Sequence, residues 1–262
     1  MKRRRGKIKF YTIKMFWVRT ILLFMIALCV LSISFDGTGA LAQVFFNKTG
    51  KKLPIYCVQN EEKQISISFD AAWGSDKTES ILNILEEENV VANFFLVGMW
   101  VDKNVELTKK IFDSGMEIGT HSNTHSDFTS LSKSQMELEL SQSVKKIEDI
   151  TKEKVTLFRA PFGAYDNHVI SVAESQNLQT IQWDVDSLDW KGISSEQIVT
   201  NILKKVKSGS IILCHNNAEN IVEALPSILK ILKSQGYEFV HISDLILKDN
   251  FTIDNSGRQI AK

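Results

Sequence analysis

Residues 65–88 read ISISFDAAWGSDKTESILNILEEE. A short apolar, strand-like run, Ile65–Phe69, ends directly on Asp70, and a helix-like stretch follows over Lys77–Glu88. The same order recurs along the chain: Ala92–Val97 then Val101–Ser114, and Met116–Gly119 then Lys133–Thr151. It continues through Thr156–Phe158, a helix near Asn167–Gln176, Gln179–Trp183, a helix over Ser195–Lys207, Ser210–Cys214, a helix over Asn220–Gln235, and Glu238–His241. Repeated β-then-α units imply a parallel sheet with helices on its outer face, either open and doubly wound or closed as a barrel. In both architectures chemistry gathers at the carboxyl ends of the strands. Polar residues stand there: Asp70, His121, Arg159, Asp186 with Asp189, and His215 each follow one of these runs.

The chain has 262 residues, 44% of them hydrophobic, enough for one full α/β core. Lys plus Arg and Asp plus Glu both number 31, so no bulk positive field attracts nucleic acid. Gly163, Gly192 and Gly209 stand alone, outside any phosphate-cradling loop, which argues against nucleotide chemistry.

The charge is uneven at the start. Lys2, Arg3, Arg4, Arg5, Lys7, Lys9 and Lys14 precede the apolar run Met15–Phe35, about the ~20 residues a membrane-spanning helix requires. Residues 1–14 are therefore expected to be cytoplasmic and everything after Phe35 to be extracellular. Two versions stay open: a permanent single-pass membrane anchor, or a signal cleaved near Ala40-Leu41-Ala42 with release of the remainder. Residues 36–63 read as a stalk or lead-in, the folded domain is expected over 64–245, and residues 246–262 read as a polar, frayed tail. Cys57 and Cys214 are expected to be free, buried thiols.

His121-Ser122-Asn123-Thr124-His125 places two imidazoles four residues apart, where a helical turn would bring both onto one face to share a metal. His215 makes a third histidine at a strand end, while His168 and His241 read as ordinary surface or strand-edge residues.

Taken in order, five stretches resemble the motifs of the NodB-type polysaccharide deacetylases of carbohydrate esterase family 4. They are Ser68-Phe69-Asp70-Ala71, His121 to His125, Arg159-Ala160-Pro161-Phe162-Gly163, Asp186-Ser187-Leu188-Asp189-Trp190, and Leu213-Cys214-His215. The resemblance spans roughly residues 64–245 and implies a distorted (β/α) barrel with fewer strands than the eight-stranded form. It also implies hydrolytic removal of acetyl groups from N-acetylated amino sugars of cell-wall glycan, with peptidoglycan sugars as the expected targets.

Amide hydrolysis requires an activated water, a stabilised oxyanion and a proton for the departing amine. By resemblance, Asp70 is the base, His215 the acid, and His121 with His125 the holders of a divalent metal, zinc first with cobalt or nickel as substitutes. Arg159 is expected to pair with Asp70, Asp189 to contact His215, the Phe162 backbone N–H to serve the oxyanion, and Trp190 and Leu213 to line the pocket. Most members carry a second aspartate after the base to complete the metal site, and here that residue is Ala71. Sporulation-linked members, which Phe69-Asp70-Ala71-Ala72-Trp73-Gly74 resembles, also lack a carboxylate there. Phe162 in place of a tyrosine and Asn216 after His215 are smaller departures. The contrasting reading is a non-catalytic wall-glycan-binding or sporulation module with a degenerate metal site.

Overall fold

Strand β1 is Cys57–Val58 and β2 is Gln64–Ala71, and β2 sets the architecture. Its side chains alternate between two faces. Ile65, Ile67 and Phe69 join the main apolar core, and Ser66, Ser68 and Asp70 take the opposite face, which is buried as well. Serines are tolerated there because their hydroxyls donate to carbonyls, Ser66 to Val240 and Ser68 to Ile212, both at 2.7 Å. A strand buried on both faces belongs at the centre of a sheet. Strand β2 pairs in parallel with β3 (Asn93–Leu96), β8 (Ile211–His215) and β9 (Glu238–Phe239).

The computed structural model describes residues 50–262, and the folded unit runs from Lys52 to Lys262. The expected basic segment, the apolar helix over 15–35 and residues 36–49 of the lead-in lie outside the described residues. Among the described residues no helix is long and apolar enough to cross a membrane.

With β4 (Glu117–Thr120), β5 (Leu157–Phe158), β6 (Gln179–Thr180) and β7 (Val185–Asp186), the sheet runs in the order β6-β5-β4-β3-β2-β8-β7, with β9 paired to β2 off this path. Every pairing in it is parallel. The end strands β6 and β7 do not pair with each other, so the sheet is a barrel left open along one seam. Helices α1 (Thr78–Glu87), α2 (Gly98–Lys103), α3 (Val105–Asp113), α4 (Lys133–Thr151), α5 (Asn167–Ser175), α6 (Ser195–Leu203), α7 (Ile221–Ser234) and α8 (Ile242–Leu245) connect the strands. Ile81 and Leu85 of α1, Leu140 and Ile147 of α4, and Leu225 and Leu229 of α7 share one core with Ile65 and Phe69. Each such side chain contributes about 1.5–3 kcal/mol when fully buried. Ser132 and Ser194 start α4 and α6 with complete capping boxes, using Gln135 and Gln197.

Several sequence expectations change. The single helix expected over Val101–Ser114 is two, α2 and α3, because Asn104 leaves helical geometry at φ −133° and ψ 46°. The strand expected over Gln179–Trp183 shrinks to β6, and Asp186 lies within β7 at the other end of the sheet instead of following that run. The domain begins before Gln64: Ile55 bridges Ile181, and β1 pairs in parallel with β11 (Arg258–Ala261). The expected frayed tail is thus a built element, because β10 (Phe251–Ile253) runs antiparallel to β11 and completes a three-stranded sheet. Its anchors are polar, which is why apolar periodicity missed them. The Gln259 side chain is buried, accepting from Leu247 N–H at 2.8 Å and donating to the Leu247 carbonyl at 3.0 Å. The Asp254 carboxylate accepts from the N–H groups of Ser256 and Arg258 and closes the turn. This small sheet meets the large one at Gly209, whose φ is +78° and where a Cβ would stand 1.8 Å from the Val58 carbonyl oxygen.

Candidate active site

At the carboxyl ends of the strands a cavity of about 480 Å³ collects Asp70, His121, His125, Phe162, Trp190, Leu213 and His215, residues from all five motif stretches. Asp70 ends the polar face of β2, and the parallel register sets it beside His215 of β8. Arg159 reaches in from the end of β5, fully buried. Its Nη1 donates to Asp70 Oδ1 at 2.7 Å and to Ser68 Oγ at 2.9 Å, its Nη2 donates to the Gln182 carbonyl at 3.3 Å, and its Cζ lies 4.0 Å from the Phe95 ring centroid. Burial alone would raise the Asp70 carboxyl, but the Arg159 charge, then His121 and His215, hold it below the ordinary carboxylate value.

His215 is gripped twice by one buried carboxylate. Asp189 Oδ1 lies 2.7 Å from His215 Nδ1, and Oδ2 accepts the His215 backbone N–H at 2.8 Å. A left-handed turn at Leu188, φ +59°, delivers Asp189 to that position, with the Leu188 N–H donating to Asp186 Oδ1 at 2.8 Å. Burial would lower the imidazole's pKa. The Asp189 hydrogen bond and charge, helped by Asp70 and Asp186, overcome that and raise it above the ordinary value. A carboxylate biased toward its ionised form and an imidazole biased toward its protonated form, in one cavity, have the opposed tendencies of an acid–base pair.

His121 and His125 do meet, with ring centroids 4.9 Å apart, but not on a helix. The segment after β4 is a loop in which Ser122 and His125 adopt φ of +72° and +61°. The expected helical turn is therefore replaced by a tight loop, closed by the His125 N–H donating to Ser122 Oγ at 2.9 Å. A residue that sequence reasoning missed holds this loop to α4. The Glu139 carboxylate accepts from the N–H groups of Asn123 and Thr124 at 3.0 and 2.8 Å and from the Thr124 hydroxyl at 2.8 Å. An acidic residue on a largely polar helix carries no local signal of such a duty.

The histidine pair fits a divalent metal in part. His121 Nδ1 lies 2.7 Å from the Arg159 carbonyl oxygen, which leaves Nε2 directed at Asp70 Oδ2, 3.5 Å away. His125 is kept neutral, its pKa lowered to about 4 by burial and by His121, so its lone pair is free to coordinate. No further donor completes the set. Ala71 is apolar and packed in the core, and among the described residues no group of three or more His, Cys, Asp or Glu side chains is arranged to hold a metal ion. Catalytic zinc normally keeps three protein ligands, so two imidazoles imply weaker binding.

Phe162 sits at φ +60°, the residue 71% exposed and its ring edge-on to that of His125 with centroids 4.7 Å apart. Trp190 and Leu213 line the cavity as expected, and Asp186 and the exposed Trp73, neither assigned a role from the sequence, line it too. His168 and His241 lie outside it; His241 Nε2 is 2.9 Å from the Gly115 carbonyl oxygen instead. Cys57 and Cys214 are free and buried, as expected. Asn216 is buried and donates to the Gly74 carbonyl and to Thr78 Oγ1.

The polysaccharide deacetylase family profile matches residues 58–181. The chain is 36% identical over 194 residues to a peptidoglycan-N-acetylglucosamine deacetylase of Bacillus cereus, covering 72% of this chain and 91% of that protein. It is 32% identical over 193 residues to the uncharacterised Bacillus subtilis protein YlxY, covering 74% of this chain but only 60% of that longer relative. Among solved structures, a carbohydrate esterase family 4 pseudoenzyme from Bacillus anthracis superposes with a TM-score of 0.71 at 34% identity, covering 73% of this chain and 68% of that one. A mutant of it, described as having restored enzymatic activity, superposes equally well at 35% identity, covering 73% of this chain and 70% of that one. The open parallel barrel, the five motifs gathered in one cavity and these matches agree: the chain belongs to the polysaccharide deacetylase family.

Proposed function

We propose that this protein hydrolyses the acetamide of N-acetylated amino sugars in cell-wall glycan, with peptidoglycan as the substrate. The observation that carries the proposal is the opposed pair in one cavity: Asp70 bonded to buried Arg159, which favours its ionised form, and His215 bonded to Asp189, which favours its protonated form. The names of the relatives support the substrate class.

Asp70 takes a proton from the attacking water as the water's oxygen bonds to the acetyl carbon. The N–H of Phe162 donates to the oxyanion that develops, a kind of contact worth roughly 10²–10³ in rate. His215 uses Nδ1 toward Asp189, which leaves Nε2 to protonate the amine as the carbon–nitrogen bond breaks. Arg159 favours the ionised form of Asp70 before it accepts that proton and again once the proton has left, and Trp190 and Leu213 line the cavity around the acetyl group. A divalent cation held by His121 and His125, zinc or in its place cobalt or nickel, would supply positive charge to polarise the carbonyl. The basic segment and apolar run within residues 1–35 would keep the site beside the wall as a membrane anchor, or direct its release after cleavage near Ala42.

Acetate release from peptidoglycan fragments and N-acetylglucosamine oligomers, with added zinc or cobalt, tests this reading. Metal-dependent release that is lost in Asp70→Asn and His121→Ala is the expected result. Ala71 favours a second reading, a glycan-binding protein without turnover, and the similarity to a protein described as a pseudoenzyme agrees with it. Folded, metal-loaded protein that binds glycan and releases no acetate would establish that second reading.

A further inference from the structure

The catalytic cavity shares a wall with another. Ala72 and Trp73 line it and also line a neighbouring cavity of about 300 Å³, whose other walls include Met99, Lys103, Asn104 and Thr124. Trp73 is 63% exposed, an unfavourable setting for an indole, yet it is firmly placed. Its ring stands edge-on to His125 with centroids 5.8 Å apart. The carbonyl of the next residue, Gly74, accepts from Trp100 Nε1 at 2.6 Å and from Asn216 Nδ2 at 3.1 Å, with Gly74 itself at φ +61°. Both donors fix the loop that presents the indole. A rigid aromatic face, held ready at a cavity mouth, binds a flat partner with little loss of conformational freedom.

In the wall of the second cavity, Met99 is 43% exposed and offers another apolar surface, while Asn104 and Thr124 offer hydrogen-bonding groups and Lys103 a positive charge. An apolar wall with a few polar groups at its edge matches a pyranose ring, whose C–H face is apolar and whose rim is polar. Because both cavities are lined by Ala72 and Trp73, neighbouring sugars of one chain could occupy them together.

We infer that Trp73 is a stacking platform that divides the groove into two subsites. The sugar losing its acetyl group occupies the cavity of Asp70 and His215, and the adjoining sugar of the same chain stacks on Trp73 and fills the second cavity. The inference rests on the glycan-deacetylase reading above and extends it to chain length: the protein recognises an oligosaccharide, with Trp73 setting the preference. Trp73 is thereby a specificity residue that touches substrate and takes no part in proton transfer.

The test compares binding of N-acetylglucosamine with binding of its trimer by calorimetry, using the full chain with zinc present and following acetate release in the same samples. The trimer is expected to bind at least about tenfold more tightly than the monomer. That ratio should fall to about twofold in Trp73→Ala and survive within threefold in Trp73→Phe, which keeps an aromatic face. Met99→Trp, which fills the second cavity alone, should also collapse the ratio. A ratio that stays near tenfold in both Trp73→Ala and Met99→Trp overturns the inference. Length-dependent binding that needs Trp73, without acetate release, upholds the platform and sinks the hydrolytic reading. Acetate release with no dependence on Trp73 does the reverse.

Discussion

Asp189 uses one oxygen to orient the His215 ring and the other to hold its backbone, so a single buried carboxylate sets both the position and the proton of the proposed acid. Since His215 must be protonated to assist the leaving amine, activity should fall as pH rises through its pKa. The raised pKa places that loss above the ordinary imidazole value. Asp189→Asn keeps the shape but removes the charge, so the alkaline limb of kcat/KM should move to lower pH. Each unit of displacement lowers activity on that limb by about tenfold, with a smaller effect at acidic pH. An unchanged limb would mean that another group supplies the proton. The site was readable at this scale through residue type and order, because Asp70, Arg159, Asp189 and His215 each end or follow a strand run. What the sequence hid was the aim of side chains delivered by unusual backbone. Leu188 and Phe162 are non-glycine residues at positive φ, and nothing in their identity announces it.

The loop from His121 to His125 shows how an element can do what a helix was expected to do. Spacing of four suggested a helical turn, yet a loop with two positive-φ residues brings the rings together, because Ser122 and Glu139 replace the hydrogen bonds a helix would provide. Glu139 meets two backbone donors and a hydroxyl, and an amide at that position retains only one accepting oxygen. Glu139→Gln should therefore weaken zinc or cobalt binding by about 10–100-fold, as loss of outer support commonly does. It should also lower stability by about 1–3 kcal/mol, measured by urea unfolding alongside calorimetric metal titration. Metal affinity that does not change would show that the histidines hold their own geometry. The strand–helix alternation was legible because apolar periodicity reports burial directly. The split at Asn104 and the shortened β6 were not, since the first is a backbone excursion that apolar spacing does not mark and the second leaves most of an apolar run outside the strand.

The molecule extends the alternating barrel at both sequence ends of its described part: β1 and the β10–β11 hairpin form a second sheet that the polar composition of residues 246–262 did not suggest. Deleting residues 249–262 would strip the partner from β1 and uncover Ile55 and Val58 of the inner apolar cluster. The melting temperature should fall by roughly 5–10 °C, a loss of a few kcal/mol for a domain of this size, with turnover per folded molecule retained because no deleted residue lines the active-site cavity. A truncated protein as stable as the full chain would mean that the hairpin is ornamental. In the proposed reaction this cavity hydrolyses acetamides although Ala71 stands where most family members carry a metal-binding carboxylate. The most direct measurement is acetate release from N-acetylglucosamine oligomers and peptidoglycan fragments across a zinc titration, for the wild-type chain and for Ala71→Asp. Turnover is expected in the wild type once zinc is saturating, with Ala71→Asp reaching its plateau at a zinc concentration at least about tenfold lower. Acetate from Ala71→Asp alone, with none from the wild type at any zinc concentration, would contradict it.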